Sequence, residues 1–145
     1  MKVKIKKLRP EAVIPNYAHP GDAGMDVCNC GPEVSIAPQG RALIPTGLSV
    51  EIPPGYEIQV RPRSGLAIKK GLTVLNTPGT IDCGYRGEIG VILFNSDPCA
   101  AAAVKNGERV AQLVLNKVEI VEWEEGGELE TSSRAAGGFG STGSH

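Results

Sequence analysis

Hydrophobic and polar positions along this chain alternate with a period of two over most of its length. Lys2 to Lys6 alternates strictly, with Val3 and Ile5 on one face and lysines on the other, which predicts an edge strand whose charges discourage mispairing. Val34–Ile36, Arg41–Ile44 and Leu48–Ile52 are short apolar runs separated by Gly or Pro, and Tyr56, Ile58 and Val60 then alternate with Glu57, Gln59 and Arg61. The stretch Asn76–Asn95 reads as a turn-rich hairpin: Pro78-Gly79 punctuates its approach, and Ile89–Phe94 is an apolar run of strand length. Asn106-Gly107 is a two-residue hairpin signal that leads into a strand over Glu108–Leu115, and Lys117–Trp123 supplies a last strand. The pattern predicts an all-β domain.

One segment breaks the alternation. In RPRSGLAIKKG, Arg61–Gly71, Ser64 can cap, Ala67 to Lys70 favour helix and Gly71 can end it, so one short helix is expected. Arg63, the Ser64 hydroxyl and free backbone N–H groups at its start have the chemistry of an anion site, or of a plain capped turn. Ser96–Ala103 stays ambiguous, because its alanines favour helix while the run is too short to nucleate one unaided.

A chain of 145 residues supports one hydrophobic core. The expected organisation is a β domain over residues 1–123 followed by a tail over 124–145, where the composition turns to Glu, Gly, Ser and Thr without apolar periodicity. With 19 Gly, 11 Pro and few aromatics, short strands and tight turns are favoured over long helices. The net charge of −1 supplies no basic field, so neither a nucleic-acid partner nor a membrane surface is expected, although a small phosphorylated ligand fits. Cys28, Cys30, Cys83 and Cys99 follow neither a disulfide-framework nor a zinc-ribbon spacing, and read as reduced thiols. No leader or membrane-spanning run is visible, and a soluble cytoplasmic protein is expected.

The candidate chemistry lies in three places. Asp82, between Ile81 and Cys83 on the hairpin, can hold the fixed geometry that a general base for water needs, or can simply cap its own turn. Gln112 interrupts an apolar strand, as a satisfied amide or as a ligand contact. In the tail, Arg134 precedes a glycine-rich run containing Phe139 and closed by Ser141 and Thr142. Such a run can curl its N–H groups into an anion nest beside a stacking aromatic, or serve as a linker, although a pure linker has no use for the aromatic.

Five motifs in order, DAGMD (Asp22–Asp26), RPRSGLA (Arg61–Ala67), GTIDCGYRGE (Gly79–Glu88), NGERVAQL (Asn106–Leu113) and RAAGGFGSTG (Arg134–Gly143), make the chain resemble the trimeric dUTP pyrophosphatase family. The resemblance implies a jelly-roll-like β-barrel of the dUTPase-like or β-clip kind, with one short helix and a flexible C-terminal tail. It implies a homotrimer with active sites at subunit interfaces, dUTP as substrate and Mg²⁺ as cofactor. Asp82 is then the catalytic base, and Asp26 touches the metal indirectly through water. Arg63, Ser64, Gly65 and Gln112 bind phosphates, while Asn76, Thr80, Ile81 and Gly90 surround uracil and Tyr85 packs on the deoxyribose. From the tail, Arg134 meets the γ-phosphate, Phe139 stacks on uracil, and Gly140, Ser141 and Thr142 wrap the phosphates. Gly84 stands where the family commonly has an acidic residue, Ala135 replaces a frequent glycine, and Cys83 adjoins the implied base.

Overall fold

The computed structural model describes residues 1–142. Its strands are β1 (Lys4–Lys7), β2 (Gly24–Cys28), β3 (Val34–Ile36), β4 (Arg41–Pro45), β5 (Leu48–Glu51), β6 (Tyr56–Arg61), β7 (Leu72–Val74), β8 (Gly79–Ile81), β9 (Gly90–Asn95), β10 (Ala102–Val104) and β11 (Arg109–Lys117), with one helix, α1 (Ser64–Lys70). They form four antiparallel sheets in the orders β1-β5, β10-β3, β2-β11-β6-β8 and β4-β9-β7. The result is a jelly-roll-like wall assembled from pieces, closed around a single apolar core.

In β9, which the sequence shows only as an apolar run, Val91, Leu93 and Asn95 are buried while Gly90, Ile92 and Phe94 are half-buried, the period-two signature of a strand with one face on the core. Ile44, Leu48, Leu72, Ile89 and Leu113 are among the most deeply buried side chains and come from three sheets and the segment before β9.

Two buried asparagines fix the loops. Asn95 is fully buried, and its Nδ2 donates to the carbonyls of Ile36, Ala37 and Ala100 at 3.1, 3.3 and 2.9 Å, while its Oδ1 accepts from Asp97 N–H at 3.0 Å. Asn29 does the same for residues 31–32 and Lys105. Such groups tolerate burial only when every donor and acceptor is matched.

Four expectations change. Asn76–Asn95 forms no hairpin: β8 pairs with β6 and β9 with β4 and β7, so the chain crosses from one sheet to another between them. Asn106-Gly107 is a turn, with Glu108 N–H on Lys105 O at 3.1 Å, but it does not close a hairpin. The strands on either side separate, β10 pairing with β3 and β11 with β2 and β6, so the turn passes the chain from one sheet to another. Ser64 is the first helical residue, not the cap. Arg63 holds the cap position in extended conformation without a side-chain hydrogen bond, whereas Gly71 ends the helix at φ 64° as expected. Finally, β11 stops at Lys117, so the strand expected over Lys117–Trp123 does not form and residues 118–123 are in none. That segment is apolar enough for a strand but finds no partner strand among the described residues, and Ile120, Val121 and Trp123 are left exposed.

Helix α1 is tied to the far side of that turn by Lys70, whose ammonium donates to Glu108 and to Ala103 O. Burial pushes the Glu108 carboxyl up, but the Lys70 and Lys105 N–H donors and both lysine charges outweigh it and hold it below its ordinary value. Among the described residues no helix is long and apolar enough to cross a membrane.

Replacing Asn95 by Ala strands three carbonyls in a region closed to water, so Asn95→Ala is expected to cost about 3 kcal/mol of unfolding free energy, measured by urea denaturation. A loss below about 1 kcal/mol would mean that water takes over those bonds.

Candidate functional site

The turn-rich segment between β8 and β9 shapes a cleft of about 170 Å³. Asn76, Thr80, Ile81, Asp82, Tyr85 and Gly90 all line it, so six residues picked out in the sequence are brought together. Its apolar wall comes from Val60, Val74, Ile89 and Ile92. Strand β8 pairs only with β6, in the register Val60 to Gly79 and Ile58 to Ile81. As an edge strand it turns part of its backbone N–H and C=O groups away from the ladder, free to read a planar ligand's polar edge.

Glycine makes two close approaches there. A Cβ on Gly79 would stand 3.2 Å from Val60 Cβ and 3.3 Å from Asn76 Nδ2, and one on Gly90 would stand 2.7 Å from Leu43 Cδ1. The bare backbone therefore lets Asn76 and the wall close in. Asp82 is exposed at the end of β8, and its carbonyl accepts from Tyr85 N–H at 3.0 Å, which closes the turn between them. The Tyr85 ring is 46% exposed with its hydroxyl donating to Glu88 O at 2.9 Å.

A second group sits on the same four-stranded sheet. The register sets Asp26 of β2 opposite Gln112 of β11, and Gln112 opposite Arg61 of β6, so the three side chains share one face in a row. Asp26 Oδ1 accepts from Arg63 Nε at 2.9 Å and Oδ2 from Arg109 Nη1 at 3.3 Å. Two guanidiniums on one carboxylate leave a net positive patch. Gln112 Nε2 donates to Pro62 O at 2.9 Å, so its amide is satisfied within the chain, next to the start of α1. Ser64 and Gly65 are exposed at that start. A cavity of about 490 Å³ is lined by Asp22, Gly24, Asp26, Cys28, Arg109 and Gln112 among others. Burial raises the Cys28 thiol there, against the pull of the nearby Arg109 and Arg63 charges, with Asp26 adding to the rise.

No described residue lines both cavities. Strands β11 and β6 separate β2 from β8, so Asp26 stands about 14 Å from the edge that carries Thr80 at ~4.8 Å per strand, with Gln112 on β11 one strand nearer. The described part of the tail lines neither: the hydrogen bonds of Arg134 and its neighbours are local, such as Arg134 Nε to Gly137 O at 2.8 Å, and Phe139, Gly140, Ser141 and Thr142 are exposed. Ala135 at φ 44° and Phe139 at φ 50° occupy the left-handed region that favours glycine. Gly143, the end of the tail motif, lies outside the described residues.

Two residues at these places were missed in the sequence. Arg109 lies inside the NGERVAQL motif, and its pairing with Asp26 follows only from the β2–β11 register. Glu88 lines the cleft and fastens its arm to the turn after β4 through Gly47 N–H at 2.8 Å.

A family model described as dUTPase matches residues 10–143. The deoxyuridine 5'-triphosphate nucleotidohydrolase of Thermobifida fusca is 50% identical over 145 residues, covering 100% of this chain and 80% of that protein. Its counterpart from Wolinella succinogenes is 52% identical over 143 residues, covering 99% and 95%. Among solved structures, the Staphylococcus bacteriophage 80alpha dUTPase with dUPNHPP superposes with a TM-score of 0.90 at 30% identity, covering 98% of each chain. A variant of the phage phi11 enzyme, described for its coordination of a structural Mg(II) ion, gives 0.82 at 26% identity, covering 90% of this chain and 100% of that one.

A Cβ on Gly24 would collide with Gln112 Oε1. Gly24→Ala is therefore expected to dislodge the Gln112 amide from Pro62 O, at about 1 kcal/mol of stability, with a shift of the Gln112 side-chain amide resonances as the direct readout. Unmoved resonances would show that the amide is held elsewhere.

Proposed function

Because this chain belongs to the dUTPase family, we propose that it is a dUTP diphosphatase, hydrolysing dUTP to dUMP and pyrophosphate, which keeps uracil out of DNA and supplies dUMP for thymidylate synthesis. The observation that carries this reading is the cleft between β8 and β9, where an edge-strand backbone, Asn76, Asp82 and Tyr85 converge on a space of about 170 Å³. That is room for a base and little more, so the triphosphate must run out of it past Asp82.

In this reading Asn76 and the backbone of Thr80, Ile81 and Asp82 hydrogen-bond the uracil edge, with Gly90 close to the ring. Cytosine is rejected because its exchanged donor and acceptor leave groups on both sides unpaired. Tyr85 packs on the deoxyribose and leaves no room for a 2′-hydroxyl. Asp82 orients a water and takes its proton as the water oxygen bonds to the α-phosphorus, and the bond to the bridging oxygen breaks with pyrophosphate leaving.

Because Asp26 and Gln112 line a cavity separate from the cleft, the phosphate contacts of Arg63 and Gln112, with those of Ser64 and Gly65, are made to a nucleotide bound in the cleft of a second copy. A homotrimer closes the arrangement, with the tail of one subunit crossing to another: Arg134 on the γ-phosphate, Phe139 on uracil, and Gly140, Ser141 and Thr142 around the phosphates. A tail that makes only local hydrogen bonds in its own chain supports that exchange.

The donors present fit a Mg²⁺ that arrives on the triphosphate. Among the described residues no three His, Cys, Asp or Glu gather into a cage, and Asp26, shared between two arginines, is suited to the ion's water shell. When bound, the ion neutralises charge on the phosphate oxygens.

Asp82→Asn is expected to lower turnover of dUTP by about 10²–10⁴-fold while the Kd for a non-hydrolysable imido analogue stays within about threefold. Unchanged turnover would take Asp82 out of the mechanism. Removing Ser133 onward is expected to cut kcat/KM by roughly two orders of magnitude, with the melting temperature held within about 2 °C, because the tail contributes nothing to the core. Collapse of the fold on truncation would make the tail structural instead.

A further inference from the structure

The scheme above leaves one residue of the base cleft without a task. Glu88 lines the cleft, yet its Oε1 accepts from Gly47 N–H at 2.8 Å, with Arg9 Nη2 at 3.9 Å alongside. Gly47 is an unyielding mooring. It is buried at φ 69°, and a Cβ there would stand 2.8 Å from both Ala12 Cβ and Cys30 Sγ. Its own carbonyl is bonded to Leu8 N–H at 2.7 Å.

The same Glu88 presents its backbone carbonyl to the Tyr85 hydroxyl at 2.9 Å. The Tyr85 ring folds back over Gly87, where a Cβ would fall 2.9 Å from Cε2, and the side chain is otherwise open to solvent. A continuous path therefore runs from a buried turn through the Glu88 carboxylate, along that residue's backbone, to the tyrosine hydroxyl. The peptide that carries the Glu88 carbonyl is also held at its other end, where Ile89 N–H donates to Leu48 O at 2.8 Å, so the carboxylate mooring restrains the remaining side of Glu88 and limits how far the carbonyl can tilt under the ring.

We propose that Glu88 is a positioning residue for sugar discrimination: moored to Gly47 and Arg9, it fixes the Tyr85 hydroxyl and so stiffens the ring face that closes on C2′ of a deoxyribose. This rests on the assignment of Tyr85 as the group that excludes a 2′-hydroxyl. Rejection of one extra oxygen requires a wall that does not give way. A half-exposed ring held by packing alone would move aside by a rotamer, and the penalty against the ribonucleotide would shrink.

The test is the ratio of kcat/KM for dUTP to that for UTP, measured on the full chain with Mg²⁺. Glu88→Ala is expected to lower the ratio by about tenfold, and Glu88→Gln, which keeps an oxygen for Gly47 N–H, to restore most of it. Tyr85→Phe, which cuts the path at its other end, is expected to match Glu88→Ala, and the double variant to fall no further than either alone. General damage to the fold would instead lower the melting temperature and slow both nucleotides together, leaving the ratio in place. A wild-type ratio in Glu88→Ala, or additive losses in the double variant, overturns the proposal. Should Glu88→Ala not fold, Tyr85→Phe decides alone, because it removes the hydroxyl bond through which Glu88 is proposed to act on the ring, and an unchanged ratio closes that route. Tyr85→Ala separates the two levels: if it leaves the ratio intact, the sugar assignment of Tyr85 is wrong, whereas a collapse there beside an unaffected Glu88→Ala sinks only the role of Glu88.

Discussion

The segment that carries the chain from β8 to β9 is pinned from behind by the turn that joins β4 to β5, and everything assigned to the cleft depends on that pinning. Ser49 Oγ donates to Arg86 O at 2.7 Å, Thr46 Oγ to Ile89 O at 2.6 Å, Gly47 N–H to Glu88 Oε1 at 2.8 Å, and Ile89 N–H to Leu48 O at 2.8 Å. Residues 82–89 contain no strand of their own, so ordering them costs about 1–2 kcal/mol each, more than four bonds worth about 1 kcal/mol apiece return. The buried side chains of Ile81 and Ile89 at either end make up part of the difference. Hydrogen bonds set the shape of the arm, and burial holds it there.

That division of labour explains why the cleft is preformed while the rest of the site is not. The cleft draws on two sheets and the core between them, all within one chain. Asp26 lies on the opposite edge strand of the same sheet, paired with Arg63 and Arg109, and the hydrogen bonds of the tail around Arg134 are local among the described residues. In the proposed reading a triphosphate draws on all three, and a second copy placed alongside is what would bring them together.

The departures from the family's motifs fit this frame. A Cβ on Gly84 would meet nothing within 4 Å, so the missing acidic residue changes charge beside Asp82 without changing the shape of the turn. Ala135 at φ 44° is a different matter, since the backbone there adopts a conformation that costs an L side chain about 1 kcal/mol more than glycine. Cys83 is half-buried, which limits its exposure to oxidants.

Local pattern was enough to reveal an all-β chain, its one helix with the Gly71 terminus, and the turn-rich segment holding Asp82 and Tyr85. Each rests on neighbours in sequence: alternation, glycine at a left-handed position, or a cluster of turn residues. It failed where the outcome depended on a partner strand. Neither Asn76–Asn95 nor Asn106-Gly107 makes a hairpin, because β8 and β9, like β10 and β11, belong to different sheets, and Ile120 to Trp123 has the composition of a strand without a partner strand among the described residues. Register alone set Arg109 against Asp26, and only the packing of the β4–β5 turn gave Glu88 something to hold. Residue types and their short-range spacing are properties of the sequence, whereas which edges meet is settled by how separate sheets share one core.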